Sequence, residues 1–177
     1  MEYQELIQKR RSIRSYDPEK KASKEPIEEM LKAAQRAPTW RNTETGKYYV
    51  LYSDDKLEEL RAEILPEFNQ NSSRGAVLIV TTYVKNISGF TDGKPDNELG
   101  NAWGAHDLGC QTSYLVLKAA DLGLDTLIMG IRNAAKIREK LAIPEEEEIA
   151  SVIAVGYRQG EPVYRERKPL DEVVTFL

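Results

Sequence analysis

Positive charge is concentrated near the start of the sequence, in the run KRRSIR at residues 9–14. Four of these six residues are Lys or Arg, although the whole chain carries a formal charge of -4. Cations at the end of a helix interact favourably with its dipole, which would explain the first two members of the run. Arg11 and Arg14 lie beyond that predicted helix with Ser12 between them, and guanidinium groups beside a hydroxyl are well suited to hold a phosphate. Charge alone leaves both interpretations open, a solvated helix end and a phosphate site.

A second basic cluster, Arg165, Arg167 and Lys168, lies at the far end of the chain. If the fold brings the two clusters together, they form one strong anion pocket, but sequence spacing does not show that they meet. Other phosphate-binding signatures are absent, since the chain has neither a G-x-x-x-x-G-K-[ST] loop nor a G-x-G-x-x-G run after a strand. The sequence therefore predicts neither a P-loop nor a Rossmann dinucleotide fold.

Composition limits the class of protein. A chain of 177 residues with 41% hydrophobic and 31% charged residues is typical of one soluble domain, here residues 1–177. The acidic balance argues against a dedicated nucleic-acid binder. One cysteine, Cys110, and one histidine, His106, exclude a disulfide framework and a metal site built from several such ligands. The longest apolar run, AVLIV, is too short to span a membrane, and no signal peptide is evident, so we expect a cytoplasmic protein.

The pattern of apolar residues predicts an α+β fold, in which a central sheet is covered by helices. Two continuous apolar runs indicate central strands buried on both faces, at 75–83 and 148–158. A third strand is predicted at 47–52, a long buried helix at about 99–122, and a polar surface loop at 86–98. Further helices are predicted at 3–9, from Pro26 to Pro38, at 53–64 and from Asn133 to Ile143.

Four stretches occur in the order seen in one protein family: RRSIRSYDPE, APTWRNTE, DLGCQTSYLVLKAADLGLDTLIMG and RERKPLDEVV. Together they span almost the whole chain, which resembles the FMN-dependent nitroreductase family. The resemblance implies a central, mostly antiparallel sheet flanked by helices in a domain-swapped homodimer, with two FMN molecules at the subunit interface. It implies oxidation of NADH or NADPH and ping-pong hydride transfer to nitroaromatics, quinones or similar small molecules. FMN would carry this chemistry, so no catalytic side chain and no metal are expected.

The resemblance also implies which residues bind FMN. The phosphate and ribityl contacts fall on Arg10, Arg11, Ser12, Arg14, Arg165 and Arg167, which would account for the concentrated positive charge. Arg14, with Arg74 as a second candidate, would stabilise negative charge on the reduced ring.

Ring contacts are implied for three further stretches. The other subunit would supply Pro38, Thr39, Trp40 and Asn42. Core packing for Trp40 and a simple helix stop for Pro38 are the alternatives, and the family position favours the ring contact for both. Asn69, or alternatively Asn71, would bond the pyrimidine edge, and the backbone at Met129 and Gly130 would approach N5. These two stretches also fit a polar loop and a turn glycine. Many relatives have a Gln where this chain has Glu44, so the contact there is not predicted.

Three residues with side chains that could take part in chemistry are predicted to have structural roles. Trp103 and His106, three apart on the long helix, are assigned to packing rather than substrate gating. Cys110 is assigned to a small buried position. The alternatives to the proposed activity are another reduction on the same fold, such as enone reduction or reductive dehalogenation, an FMN-binding protein without turnover, and a phosphate- or RNA-binding module.

Overall fold

The computed structural model describes residues 2–177, leaving aside the side chains of residues 54–56. This range contains six α-helices and six strands, and short 3-10 turns occur at Trp40–Asn42 and Leu170–Glu172. The helices are α1 (Tyr3–Lys9), α2 (Lys24–Ala34), α3 (Asp54–Ile64), α4 (Glu67–Ser73), α5 (Ala102–Asp121) and α6 (Ala134–Leu141). The strands are β1 (Gly46–Leu51), β2 (Val77–Val84), β3 (Phe90–Thr91), β4 (Lys94–Pro95), β5 (Asp125–Met129) and β6 (Glu147–Gly156).

The main sheet has the strand order β1-β2-β6-β5, and every neighbouring pair is antiparallel. Its two middle strands, β2 and β6, are the apolar runs that the sequence predicts to be central, and residues 77–83 of β2 are buried throughout. A bulge between Thr81 and Thr82 shifts the register of the β2–β6 pair. The α+β class and the mostly antiparallel sheet are confirmed.

Helices cover both faces of this sheet. On one face, α3 and α6 contribute Ile64 and Ile137 to an apolar cluster with strand residues. On the other face, α2 and the long helix α5 contribute Met30 and Leu115 to a second cluster. Leu115 of α5 is fully buried, as expected of a helix packed on several sides. The sheet is thus the rigid centre of a three-layer arrangement.

Several local predictions are corrected by the structure. Helix α2 ends at Ala34, before Pro38. Strand β5 and helix α4 were not predicted, and the loop at 86–98 contains the β3–β4 hairpin. Its turn residues Asp92 and Gly93 have φ of 50° and 73°, the left-handed values that tight hairpin turns use.

Helix α4 is held in place by a buried guanidinium group. Arg61, which is 2% exposed, donates from Nη1 to the hydroxyl of Ser73 at 2.9 Å and from Nη2 to the carbonyl of Ala76 at 2.9 Å. Burial lowers the pKa of Arg61, so desolvation is the main unfavourable term at this position. The bonds fix the end of α4 to the start of β2.

No helix within residues 2–177 is long and apolar enough to cross a membrane.

Candidate functional site

The two basic clusters meet at one cavity. It has a volume of about 900 Å³, and its walls come from the end of α1, the segment that follows it, and residues 159–167. The cavity is lined by every basic residue predicted to bind phosphate and by the predicted hydroxyl: Arg10, Arg11, Ser12, Arg14, Arg165 and Arg167. We call this feature the arginine cavity. One carboxylate, that of Glu161, also lies in its wall.

The segment after α1 is fixed to the edge of the sheet. Ser12 forms a parallel bridge with Thr126 of β5, and the N–H of Ile13 donates to the carbonyl of Thr126 at 3.0 Å. Ile13 and Tyr16 are buried, whereas Ser12, Arg14 and Ser15 between and beside them are exposed. This near-alternation turns the polar side chains toward the cavity while the apolar ones join the core.

The far side of the cavity is attached to the same segment. The N–H of Gln159 donates to the carbonyl of Ser15 at 2.9 Å, just after β6 ends. Arg158 forms a bidentate pair with buried Asp125, with Nε–Oδ2 and Nη2–Oδ1 distances of 2.8 and 2.6 Å. Arg158 is therefore neutralised within the chain, which separates it from the arginines of the cavity.

The arginines that line the cavity form no ion pairs with acidic residues of the described chain. Among the described residues, no carboxylate forms an ion pair with any of the five guanidinium groups there. Burial lowers the pKa of Arg10, and the positive charges of Arg167 and Arg11 lower it further. The guanidinium of Arg11 lies 5.1 Å from the ring centre of Tyr164, a cation–π distance. Like charges that repel one another in an open cavity would be stabilised by an anionic group.

The predicted ring-edge residues come together at the end of β5. Asn69 of α4 is 7% exposed, and its Nδ2 donates to the carbonyl of Ile131 at 2.8 Å. Met129 is buried and Gly130, directly before Ile131, is exposed. Asn71 is exposed, so of the two asparagines it is Asn69 that contacts this backbone. An added Cβ at Gly130 would meet no atom within 4 Å, which leaves its backbone open to approach by a flat ligand.

Residues 38–44, which follow α2, form a second candidate region that we call the ring segment. Three non-glycine residues in it have left-handed backbone: Arg41, Asn42 and Glu44, with φ of 46°, 57° and 49°. Such conformations are unfavourable by about 1–3 kcal/mol each and persist where surrounding contacts hold them. The hydroxyl of Thr39 accepts from the N–H of Glu44 at 3.2 Å, and Asn42 Nδ2 donates to Glu44 Oε1 at 3.0 Å. Glu44 thus has an internal role in shaping the segment.

Trp40 is packed against α5, as the core-packing alternative for this residue predicts. Its ring lies 4.6 Å from that of Trp103, which in turn lies 5.3 Å from the ring of His106. The backbone N–H of Trp40 donates to Oδ2 of Asp107 at 2.9 Å, a contact that the sequence analysis did not foresee. The Trp40 indole N–H is buried without a hydrogen-bond partner among the described residues. Pro38, which lies beyond the end of α2, is exposed.

The two candidate regions are separate within one chain. None of Pro38, Thr39, Trp40 and Asn42 lines the arginine cavity.

His106 is exposed over 62% of its side chain, and Cys110 is a free thiol of intermediate exposure. Arg74, at the end of α4, is exposed. No group of His, Cys, Asp and Glu within the described part of the chain has the arrangement of a metal site.

This geometry suits binding rather than acid–base catalysis. The arginine cavity offers guanidinium groups and a hydroxyl to an anion. At the end of β5, the exposed backbone of Gly130 and the buried amide of Asn69 lie where the polar edge of a planar ligand could bind. No histidine or cysteine lines the arginine cavity.

Known proteins share both the sequence pattern and the fold. The model of the nitroreductase family matches residues 7–157. A protein of Archaeoglobus fulgidus named "Putative NADH dehydrogenase/NAD(P)H nitroreductase" is 28% identical over 165 residues, which cover 91% of this chain and 88% of that one.

Solved structures agree with this match. The crystal structure of a nitroreductase family protein from Clostridium difficile has a TM-score of 0.81 and 26% identity, covering 99% of this chain and 98% of the other. A crystal structure described as an oxidoreductase containing FMN has a TM-score of 0.82 and 26% identity, covering 96% and 89% of the two chains.

Proposed function

The chain belongs to the nitroreductase family, and from that premise we propose that it is an FMN-dependent oxidoreductase. It takes electrons from NADH or NADPH and passes them to nitroaromatics, quinones or similar small acceptors in alternating half-reactions. The relative from Archaeoglobus fulgidus carries an NAD(P)H nitroreductase name, and a structure of similar fold contains FMN.

The observation that carries the proposal is the arginine cavity. Five guanidinium groups without acidic partners among the described residues line one cavity of about 900 Å³ with the Ser12 hydroxyl. Bidentate, charge-assisted hydrogen bonds make arginine clusters strong binders of phosphate, and each bond to a charged group contributes about 1.5–3 kcal/mol. Burial lowers the pKa of Arg10, and the positive charge of Arg167 lowers it further, so a phosphate dianion bound in this cavity would relieve the repulsion between the two guanidinium groups.

The remaining residues fit the rest of an FMN molecule. Asn69 and the exposed backbone at Gly130 lie at the end of β5, where they would hold the polar edge of the ring. Arg14, with Arg74 as the alternative, would place positive charge beside that ring. When bound, FMN would supply the capacity to accept and release a hydride, while the chain binds it and orients it.

The composition of the chain agrees with a mechanism that needs no protein acid or base. Its one histidine is largely exposed, and its one cysteine is on α5, away from the arginine cavity. Two substrates that bind in turn on one open face require few dedicated side chains. The identity of the acceptor would then be set by shape and by flat apolar contact.

We also propose that the active form is a domain-swapped homodimer. Beyond residue 160 the tail is largely exposed and carries apolar side chains, with Val173 and Phe176 62% and 89% exposed. Strand β1 pairs only with β2 in the described structure, so one of its edges is free to accept another strand. The ring segment does not line the cavity of its own chain, which fits a contribution to the site of the partner protomer.

The deciding experiment is the visible spectrum of the purified protein, followed by anaerobic stopped-flow mixing with NADH and with NADPH. We expect flavin absorbance that bleaches with at least one nicotinamide and returns on addition of a quinone or nitroaromatic. Bleaching without return for any such acceptor would point to another reduction on the same fold. A correctly loaded protein that neither nicotinamide bleaches would be an FMN-binding protein without this activity.

A further inference from the structure

The proposed chemistry leaves one buried carboxylate on α5 without a role. We propose that Asp107 is a positioning residue that holds the ring segment where it meets FMN. This inference rests on the proposed function, because the ring segment matters only if it contacts that ring. It assigns the role to a helix residue which itself lies outside the arginine cavity.

Asp107 is a costly residue to bury. Its side chain is 3% exposed, and no Lys or Arg of the described chain pairs with it. The largely exposed His106 has its Nδ1 3.5 Å from Oδ1. A buried carboxylate with no cationic partner of fixed charge is strongly unfavourable unless hydrogen-bond donors compensate it. The donors that do so are therefore informative about its role.

Two hydrogen-bond donors contact the same carboxylate oxygen of Asp107, one from the ring segment itself and one from a residue that contacts the ring segment. Oδ2 accepts from the backbone N–H of Trp40 at 2.9 Å and from the hydroxyl of Ser88 at 2.8 Å. Ser88 is 1% exposed and also lies 2.8 Å from the hydroxyl of Thr43. One carboxylate oxygen thus fixes the ring segment at two places, directly at Trp40 and through Ser88 at Thr43.

The ring segment needs such an anchor. The three left-handed residues, Arg41, Asn42 and Glu44, directly follow the anchored Trp40. Strained backbone relaxes when the contacts that hold it are removed. Without the acceptor on α5, the strained residues would be free to move away from the position that presents Asn42 and Trp40.

The hairpin at 90–95 reinforces the same segment. Arg41 Nη1 donates to the hydroxyl of Thr91 at 2.8 Å, and its Nη2 lies 3.8 Å from a carboxylate oxygen of Asp96. These contacts are exposed, so we expect them to contribute less than the buried bonds of Asp107. Asp107 is the anchor, and Arg41 a secondary tie.

The chain offers a matched control in Glu147. It is also a buried carboxylate, 7% exposed, and it accepts from the hydroxyls of Tyr49, at 3.0 Å, and Thr82. These donors belong to β1 and β2, and none is in the ring segment. Replacing either carboxylate by its amide removes one buried charge, but only the Asp107 variant should alter the candidate site.

The experiment compares Asp107→Ala, Asp107→Asn and Glu147→Gln in a Trp103→Phe background, where Trp40 is the sole tryptophan of the chain. The near-ultraviolet circular dichroism of the FMN-free protein reports the packing of Trp40, and titration gives the Kd for FMN. Asp107→Ala should weaken the Trp40 band and raise the Kd about tenfold, since it removes a charge-assisted bond. Asp107→Asn keeps an acceptor oxygen and should limit the rise to about threefold. Glu147→Gln should change neither quantity, even if it lowers the melting temperature.

An unchanged Trp40 band and Kd in Asp107→Ala would overturn the assignment, as would equal changes in Glu147→Gln. If Asp107→Ala does not fold, Asp107→Asn decides, because a Kd ratio equal to that of Glu147→Gln would contradict a positioning role. If the protein that retains Trp103 binds no FMN at all, the proposed function fails. The Trp40 band of the Asp107 variants would still show whether the anchor exists.

Discussion

The arginine cavity and the ring segment satisfy their polar groups in opposite ways. In the cavity, five guanidinium groups form no ion pair with a carboxylate of the described chain, and burial, followed by the charges of Arg167 and Arg11, lowers the pKa of Arg10. In the ring segment, the backbone N–H groups of Trp40 and Glu44 and the hydroxyl of Thr43 have partners within the chain. The first region is incomplete by itself, whereas the second is held internally.

This difference separates binding strength from binding geometry. Binding of an anion to unpaired positive charges lowers the free energy, so the cavity should contribute most of the affinity for FMN. Groups that are already paired gain little from a ligand, but they keep a surface in one place. Substitutions in the two regions should therefore differ in size and in what they change.

The largest effect is expected for the double variant Arg10→Ala and Arg167→Ala. Each arginine should contribute roughly a factor of ten to the affinity for FMN, so the Kd should rise about a hundredfold. Fluorescence titration of FMN measures it, with Arg36→Ala as the control, since Arg36 is exposed and lies outside the cavity. The FMN-free double variant should be as stable as the parent, because two repelling charges are gone. An FMN affinity equal to that of the control would contradict the assignment of the cavity.

The next effect concerns the tail. Removal of residues 170–177 should convert the proposed dimer to a monomer, because the exposed apolar side chains at Val173 and Phe176 are lost. FMN should bind about tenfold more weakly, since the arginine cavity remains but the ring segment of the partner does not. Sedimentation velocity and FMN titration test both points.

A matched control for the tail is Lys168→Ala, which breaks the exposed Lys168–Glu172 pair at 3.5 Å but keeps every apolar side chain. It should remain dimeric, with an interface above about 2,000 Å². A truncated chain that stays dimeric with unchanged FMN affinity would show that the tail is not the swapped element.

The smallest effect comes from Tyr48→Phe. The Tyr48 hydroxyl is buried and has no hydrogen-bond partner in the described chain, and desolvation raises its pKa to about 12. The Tyr48 hydroxyl is neutral, unlike the guanidinium groups of the cavity, so its lack of a partner does not indicate an anion-binding site. Its removal should stabilise the protein by about 1 kcal/mol at neutral pH.

The same variant has a signature at alkaline pH. Because the folded pKa of Tyr48 lies above the unfolded value of about 10, the parent protein loses stability as the pH rises from about 10 toward 12. Tyr48→Phe lacks this loss, so its advantage in thermal unfolding should widen above pH 10. A destabilised variant would indicate that the hydroxyl finds a partner in the dimer.

The parts of this molecule that sequence predicts well are those that depend on composition alone. The buried strands β2 and β6 stand out as apolar runs, and the clusters around Arg11 and Arg167 stand out as charge in an acidic chain. Strand β5 was missed because its five residues begin only a short turn after a long helix, and its extended form is stabilised by pairing with β6.

Other features depend on contacts that no local pattern reveals. Helix α4 has the sequence EFNQNSS, whose Asn and Ser residues favour turns, and it is held by distant Arg61. Of the left-handed residues of the ring segment, Asn42 is of a type that adopts this conformation fairly often, but Arg41 and Glu44 are not, so the sequence does not indicate them. Asp107 gave one weak signal, an acidic residue within the largely small and apolar stretch GAHDLGC, and its partners Trp40 and Ser88 are far away in the chain.

The bridge between Ser12 and Thr126 has a consequence for the length of the ligand. It attaches the cationic segment near the start of β5, and Gly130 follows the last residue of the same strand. Four residues of extended chain separate Thr126 from Gly130, a distance of about 13 Å at the usual rise of a strand. Hydrogen-bonded β-structure stretches very little, so the anion end and the ring end of the site are held at a fixed separation. The protein would thereby discriminate by molecular length, favouring a mononucleotide whose phosphate and ring are joined by a short flexible chain over shorter phosphorylated compounds.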